Sequence, residues 1–387
     1  MRQRELYSPR CPLSTFVHKV HLVHTHFYRN PMSSKLTYLA GSKALATIKE
    51  KGLTPDMIRV MAGAAGGPKW IILSGLDRYI FSSWLTESEQ PVHLLGSSIG
   101  AYRFAAAMRN NPEAAIDRLL DSYIHQAYDG RPKPQEVTDK GAEIIYDYLD
   151  DQGVREVLSH PFFRLNILAV KCLNLTASER KSIMIPGLIG AALANVVSRN
   201  NLKYFFRRTL FYDSRTKPPF YHMNQFPLDR VPLSPENLRI SILASGSIPI
   251  VMSGIEDIPG TTGGMFRDGG VLDYHMDIPY GIKDGIVLFP HYTDRIVPGW
   301  LDKQLTYRKP DKANMENLLL ICPSRDFIAT LPCAKIPDRN DFKLFFRRDD
   351  ERFAYWITAA ERSRELADEF CDVVATGKIR ELVRPLD

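Results

Sequence analysis

The sequence predicts an α/β protein in which a mainly parallel central sheet is flanked by helices. Short apolar runs of strand length alternate along the chain with longer segments of helical period. Glycine-rich turns join two of these runs to the segments that follow, after Met61 and after Leu95. A chain of 387 residues that is 44% hydrophobic and 24% charged can bury a large core. Neither a repeat nor a linker divides it, which favours one elaborated domain.

Residues 1–35 differ in composition from the rest, and we expect a flexible basic arm there. Basic residues outnumber the single acidic residue, Glu5, and four histidines fall close together, at His18, His21, His24 and His26. Neutral imidazoles suit zinc or copper. No carboxylate or cysteine completes a ligand set with the spacing of a known zinc site, so the arm is the preferred interpretation.

The remaining residues, 36–387, are predicted as a single domain with a core at about 57–290 and a helical extension at about 338–380. The predicted strands are 57–61, 91–95, 165–172, 209–212, 285–289 and 317–322. The predicted helices are 43–51, 70–79, 99–108, 111–128 and 136–158. Residues 234–245 fit either a strand or a capped helix.

Gly96, Ser98 and Gly100 form a G-x-S-x-G pattern between a predicted strand and a predicted helix. A serine that attacks a carbonyl must stand clear of its backbone on a tight strand-to-helix turn, and small neighbours let other backbone pass close. The start of the following helix would stabilise negative charge developing there. Ser98 is therefore the candidate nucleophile, although a plain glycine-rich turn has the same pattern.

Two further stretches belong with this motif in chain order. A glycine-rich loop at 62–69 follows the first core strand, and Asp268-Gly269-Gly270 ends a later one. The order of loop, G-x-S-x-G and D-G-G resembles the patatin-like phospholipase family over roughly residues 57–290. Residues 242–249 are similar to the family's small-residue helix that ends in proline. The resemblance implies a patatin-like three-layer fold and an acyl hydrolase whose catalytic dyad is a serine and an aspartate.

The sequence also departs from the family pattern at two places. Lys69 is followed by Trp70, where the family usually has glycine. The Asn-Pro pair that usually follows D-G-G is replaced by residues 273–279. These differences bear on substrate preference more than on the class of reaction.

The expected reaction is the hydrolysis of a phospholipid or another acyl ester. Ser98 attacks the acyl carbonyl, Asp268 accepts its proton, and the backbone N–H groups of Gly66 and Gly67 hold the oxyanion. Lys69 could orient this loop or meet a phosphate, although an ordinary surface lysine is the default interpretation. The loop lacks the G-K-[ST] ending that cradles nucleotide phosphates with magnesium, so neither metal nor nucleotide cofactor is expected.

Two alternatives to the dyad remain open at this stage. One is an α/β-hydrolase esterase in which Ser98 works with an acid and a histidine, for which His275 and His291 are available. The other is a non-catalytic lipid-binding protein of the same fold.

Charge and hydropathy suggest where such a protein would act. The net charge of +6 favours anionic surfaces, and no nucleic-acid-binding module is recognisable. Residues 182–198 are uncharged and lie between basic residues, which fits either an interfacial segment over the acyl pocket or a buried helix. The flanking basic residues are Lys181, Arg199, Lys203, Arg207 and Arg208. With neither a leader nor a spanning segment in the sequence, we expect a cytoplasmic protein that contacts anionic membranes peripherally. Oligomeric state is not predicted.

Overall fold

The computed structural model describes residues 34–86 and 88–386. The histidine cluster and nearly all of the predicted arm lie outside these residues. The last two arm residues, Ser34 and Lys35, bind the carboxylate of Glu369 through the Ser34 hydroxyl (2.5 Å) and the Lys35 amide (2.6 Å). This contact joins the start of the described chain to its C-terminal helices.

The described residues form one mixed, mostly parallel sheet. Its strands are β1 (Leu36–Ala40), β2 (Ile58–Gly63), β3 (Val92–Ser97), β4 (Phe163–Cys172), β5 (Phe206–Tyr212), β6 (Leu228–Pro232), β7 (Ile255–Glu256), β8 (Met265–Asp268), β9 (Ile286–Pro290), β10 (Leu318–Pro323) and β11 (Arg384–Pro385). The main order is β11-β1-β10-β9-β2-β3-β4-β5-β6. The central strands β10, β9, β2, β3 and β4 run parallel to one another. Antiparallel pairs occur at β1–β10, β4–β5, β4–β8 and β7–β8.

Helices flank this sheet, as the α/β prediction requires. Their bounds are α1 (Ser42–Lys51), α2 (Ser74–Tyr79), α3 (Ile99–Ala107), α4 (Pro112–Ile124), α5 (Pro134–Tyr148), α6 (Asp151–Ser159), α7 (Lys181–Val197), α8 (Leu238–Gly246), α9 (Lys312–Met315), α10 (Arg325–Ala329), α11 (Asp341–Leu344), α12 (Asp349–Arg362), α13 (Arg364–Ala375) and α14 (Ile379–Leu382). β3, β9 and β10 are buried along their whole length. Parallel strands that are covered on both faces consist of continuous apolar runs, which is why apolar and polar residues do not alternate along these three strands.

Two local predictions change in the structure. The helix predicted over 136–158 is divided into α5 and α6, because the carboxylate of Asp150 accepts the Gly153 amide (2.7 Å) and caps a new helix. Residues 234–245, which fitted either a strand or a helix, contain the start of α8.

The pairing along β4 brings two distant parts of the chain together. β3 runs parallel to the first half of β4 and ends with Ser97 opposite Leu168. β8 approaches from the other end, antiparallel to β4, and finishes with Asp268 opposite Ala169. The carboxyl ends of β3 and β8 therefore meet at neighbouring register positions of one strand. Whatever follows β3 in sequence must lie beside the end of β8.

The uncharged run at 182–198 forms α7, and neither of the two interpretations left open for it, a segment over the acyl pocket or a buried helix, describes it fully. Met184, Leu188 and Ala191 pack into a separate cluster of buried residues with β4 and β5. The opposite face is open, with Leu193 65% and Val197 82% exposed. The helix is therefore neither a lid over a cavity nor fully buried. No helix within the described residues combines the length and apolar character needed to cross a membrane.

Two of the basic residues expected to flank this segment at the surface are instead engaged inside the protein. Arg208 is fully buried and forms a bidentate pair with Asp273, at 2.6 and 2.7 Å. Arg199 pairs with the buried Asp302 at 3.4 Å. The prediction that these two side chains meet lipid head groups is therefore wrong.

Candidate active site

Ser98 occupies a sharp turn between β3 and α3. Its backbone has φ 54° and ψ −128°, a conformation that costs a non-glycine residue about 1–3 kcal/mol. A Cβ at position 96 would lie 2.5 Å from the Ala101 nitrogen, and one at Gly100 would overlap the carbonyl of Gly63. Both glycines of the G-x-S-x-G pattern are thus required by close backbone packing around this turn.

The Ser98 hydroxyl donates a hydrogen bond to Asp268, with 2.8 Å between Oγ and Oδ2. The other carboxylate oxygen accepts the Gly270 amide at 2.7 Å, which fixes the orientation of the carboxylate. Burial raises the pKa of Asp268 above its ordinary value, while the bonds from Ser98 and Gly270 and the charges of Arg339 and Lys303 act in the opposite direction. A carboxylate with a raised pKa is a stronger base than an exposed one.

The end of α8 fixes the backbone on both sides of this contact. The Ser245 hydroxyl accepts the Ser98 amide at 2.8 Å and donates to the Leu168 carbonyl at 2.6 Å. The Asp268 amide donates to the Ser247 carbonyl at 3.0 Å. The family resemblance singled out residues 242–249 without giving any of them a role, and the structure makes Ser245 a positioning residue.

The glycine-rich loop approaches the dyad from the end of β2. Gly66 and Gly67 line a small recess of about 20 Å³ together with Ser98 and Asp268. Neither glycine amide donates to another group of the described chain. Pro68, the next residue, has no N–H to donate. The amides of Gly66 and Gly67 thus have no partner among the described residues, as donors to an oxyanion must before substrate binds.

Buried side chains beneath the loop fix the carbonyl that precedes these glycines. His275 Nδ1 lies 3.0 Å from the Val297 amide and 3.1 Å from the Arg295 carbonyl, and Nε2 lies 2.8 Å from the Tyr292 hydroxyl. The Tyr292 hydroxyl then donates to the Ala65 carbonyl at 2.5 Å. A Cβ on Gly66 would lie 2.6 Å from the Tyr292 ring, so the loop also rests directly on this side chain. Tyr292 carried no sequence signal.

The structure does not bring His275 or His291 to Ser98. Both nitrogens of His275 are used beneath the loop, and His291 Nδ1 lies 2.7 Å from the Thr293 carbonyl. Burial lowers the pKa of His275 well below its ordinary value and that of His291 to about 3. Both rings are therefore neutral at physiological pH and held away from the serine.

A cavity of about 1000 Å³ opens beside Ser98. Its walls are mainly apolar or aromatic and include Ile99, Tyr102, Val137, Ile144, Met252, Phe342 and Phe346. Helix α5 and the segment from Arg339 to Arg347 supply much of this lining, whereas α7 supplies none. An extended apolar group bonded to a carbonyl at Ser98 would fit this space.

A scan against protein-family models finds no match to this chain, and no curated protein is significantly similar to it. The chemistry of the site must therefore be argued from its own geometry. It combines a serine in hydrogen-bond contact with a buried carboxylate, two free backbone amides and an apolar cavity. Acyl transfer by a serine requires groups of these kinds: a hydroxyl nucleophile, a nearby base and N–H donors for the oxyanion.

Proposed function

We propose that this chain is a serine-dependent acyl hydrolase of the patatin-like type, acting on phospholipids or other acyl esters. The observation that carries the proposal is the 2.8 Å contact between Ser98 Oγ and Asp268 Oδ2. It supports a dyad over a triad, because the two candidate histidines bond elsewhere.

In the first half of the proposed reaction, Ser98 Oγ attacks the acyl carbonyl carbon while Asp268 accepts the hydroxyl proton. The carbonyl oxygen becomes an oxyanion facing the amides of Gly66 and Gly67. Collapse of the tetrahedral intermediate breaks the bond to the alcohol, which leaves with the proton held by Asp268. The acyl group stays on Ser98 with its chain in the apolar cavity.

In the second half, Asp268 accepts a proton from water as the water oxygen attacks the acyl-enzyme. Breaking the bond to Ser98 Oγ releases a carboxylic acid, and the proton on Asp268 returns to the serine. The dyad ends in its starting protonation state, so the cycle consumes one ester and one water without any further reactant.

The direct test is to replace each member of the dyad. Ser98→Ala and Asp268→Asn should each lower kcat on a short-chain nitrophenyl ester by at least about 1000-fold. Ser97→Ala is the matched control, because the Ser97 hydroxyl is buried without a hydrogen-bond partner among the described residues. Turnover near the parent level in either dyad variant would refute the proposed roles.

A second set of variants separates the dyad from a triad. Loss of a catalytic histidine typically costs as much as loss of the serine. His291→Gln should cost less than about 100-fold. His275→Gln should also stay within that limit, although it removes support for Tyr292. A loss equal to that of Ser98→Ala in either variant would favour the triad.

We also propose that α7 docks peripherally on an anionic membrane. Its open face presents Ile189 and Leu193, which are 55% and 65% exposed. Three exposed basic residues lie near it: Arg180, Lys181 and Lys203. Apolar side chains would insert shallowly while these cations met anionic head groups, each worth about 1 kcal/mol at the surface.

Vesicle binding tests this docking surface. Ile189→Asp combined with Leu193→Asp should weaken binding to phosphatidylserine vesicles and lower hydrolysis of vesicle lipid, and binding by the parent should weaken as salt is added. Hydrolysis of a soluble ester should persist, because α7 does not line the cavity. Ile357→Asp, at another exposed apolar position, is the control. Equal losses on vesicles and soluble ester would assign the two residues a purely structural role.

A further inference from the structure

Three cationic side chains on and around the oxyanion loop form no direct ion pair within the described residues. Lys69, Lys303 and Arg339 are each half-buried. Throughout residues 34–86 and 88–386, none of the three forms an ion pair or donates a side-chain hydrogen bond. Buried cations elsewhere are paired, as Arg103 is with Asp77 and Arg208 with Asp273. The charge of Asp338 acts on Lys69 and that of Asp268 acts on Lys303, so the group has three cations against two carboxylates and an excess of positive charge.

Arg339 lies at the junction of the two spaces beside Ser98. It lines both the large apolar cavity and the small recess. Its side-chain stem lies over the oxyanion loop, since a Cβ on Gly67 would be 3.4 Å from Arg339 Cγ and 3.6 Å from Cδ. The guanidinium thus belongs to the rim of the reaction site.

The two lysines approach the same region over aromatic rings. Lys303 Nζ is 4.0 Å from the centroid of Tyr274, a residue that lines the recess. Lys69 Nζ is 4.8 Å from the centroid of Tyr292, beneath the loop. Cation–π contacts of this kind offset part of the cost of burial without neutralising the charge.

The three cations are close enough to repel one another. Burial, together with the charges of Arg339 and Lys69, lowers the pKa of Lys303 to about 7. Asp268 is the carboxylate among the residues that line the recess, and it is already bonded to Ser98 and Gly270. A bound anion would relieve this repulsion and gain charge-assisted hydrogen bonds from Arg339.

We propose that Arg339, supported by Lys303 and Lys69, binds a negatively charged phosphate or carboxylate group on the alcohol side of the ester. The apolar cavity suits the acyl chain, so the alcohol lies on the opposite side of the ester carbonyl. Arg339 stands at the boundary between that cavity and the recess of about 20 Å³, which is too small to hold the alcohol itself. This assignment rests on the proposed acyl-hydrolase function. The preferred esters are then anionic, and Arg339 determines that preference.

The test compares two soluble esters that differ only in the phosphate group, 1-hexanoyl glycerol and 1-hexanoyl glycerol 3-phosphate. The parent should have the higher kcat/KM on the phosphate ester. Arg339→Gln should reduce the ratio of the two kcat/KM values by about 10- to 100-fold, the value of a hydrogen bond to a charged group. Arg348→Gln removes one exposed, ion-paired arginine from the same segment and should keep the parent ratio. An unchanged ratio in Arg339→Gln, with both esters still cleaved, overturns the subsite and leaves the dyad intact.

Adding inorganic phosphate distinguishes two origins of the bound anion: a charged group on the substrate, or a free anion from solution. It should inhibit phosphate-ester hydrolysis competitively in the parent and at least tenfold more weakly in Arg339→Gln. If phosphate instead accelerates hydrolysis of the neutral ester, the site binds a free anion and the substrate assignment is overturned.

A binding measurement keeps the subsite testable apart from catalysis. Calorimetric titration of Ser98→Ala protein with inorganic phosphate should show binding that the added Arg339→Gln change removes. If the parent cleaves neither ester, the proposed function fails, and this titration still decides whether the anion site exists. Equal phosphate binding with and without Arg339 overturns it.

Discussion

Removal of the Ser245 hydroxyl tests how the turn at Ser98 is held. That hydroxyl is fully buried, accepts the Ser98 amide at 2.8 Å and donates to the Leu168 carbonyl at 2.6 Å. Ser245→Ala leaves two buried backbone groups without this partner, at about 1–3 kcal/mol each. We expect the free energy of unfolding to fall by about 2–4 kcal/mol, measured by urea titration.

The same variant should also lose activity, because the lost bond helps to hold Ser98 at positive φ. Relaxation of a backbone strained by about 1–3 kcal/mol would depopulate the reactive geometry and lower kcat about tenfold or more. Ser247→Ala is the matched control, since its hydroxyl donates to the Leu243 carbonyl, one turn back in the adjoining helix α8. It should cost about 1 kcal/mol or less and keep kcat. If the two variants are equally stable and equally active, Ser245 does not position the turn.

Three further predictions concern pH and backbone packing. The acid limb of the kcat/KM profile should have its midpoint above 3.8, the ordinary pKa of aspartate, because burial raises the pKa of Asp268 and the base must be ionised. A midpoint at or below 3.8 would contradict this. The folded pKa of His291 is lowered to about 3, so between pH 6.5 and 3 the unfolded chain binds a proton that the folded chain excludes. As the pH is lowered through this range, the free energy of unfolding should fall by up to about 1.4 kcal/mol per pH unit for this group. Urea titrations at several pH values should show that the free energy of unfolding of His291→Gln depends less steeply on pH. Gly100→Ala, which would overlap the Gly63 carbonyl, should abolish soluble folded protein, whereas Gly190→Ala inside α7 should be neutral or raise the thermal midpoint.

The sequence was most informative where the chemistry is local. The G-x-S-x-G pattern requires only a tight turn between a strand and a helix, with a glycine on either side of the serine. Residues 96–100 alone contain this pattern. Asp268 could be placed with Ser98 through the order of motifs, although the sequence could not reveal that β4 aligns their strands. Ser245, Tyr292 and Arg339 reach the site through contacts between distant segments, and residues of these types are too common to mark it.

The incorrect surface prediction for Arg208 has a specific physical cause. The strand was predicted to begin at Thr209, which left Arg207 and Arg208 as adjacent members of a basic rim. In the structure β5 begins at Phe206, so alternate side chains point to opposite faces. Arg207 is 43% exposed and pairs with Asp229, while Arg208 points inward to Asp273. An error of three residues in the predicted start of the strand thus placed a buried, paired arginine at the surface.

The meeting of β3 and β8 along β4 makes activity depend on a short strand. β8 has four residues, all buried; three of them pair with β4 and two with the two-residue strand β7. Strands with few ladder bonds open locally at lower free energy than the core does. Detachment of β8 would carry Asp268 away from Ser98 while β2, β3 and β9 remained paired. Ester hydrolysis would then cease at urea concentrations below those that unfold the sheet. The dependence of the hydrolysis rate on urea would measure the opening of this one strand.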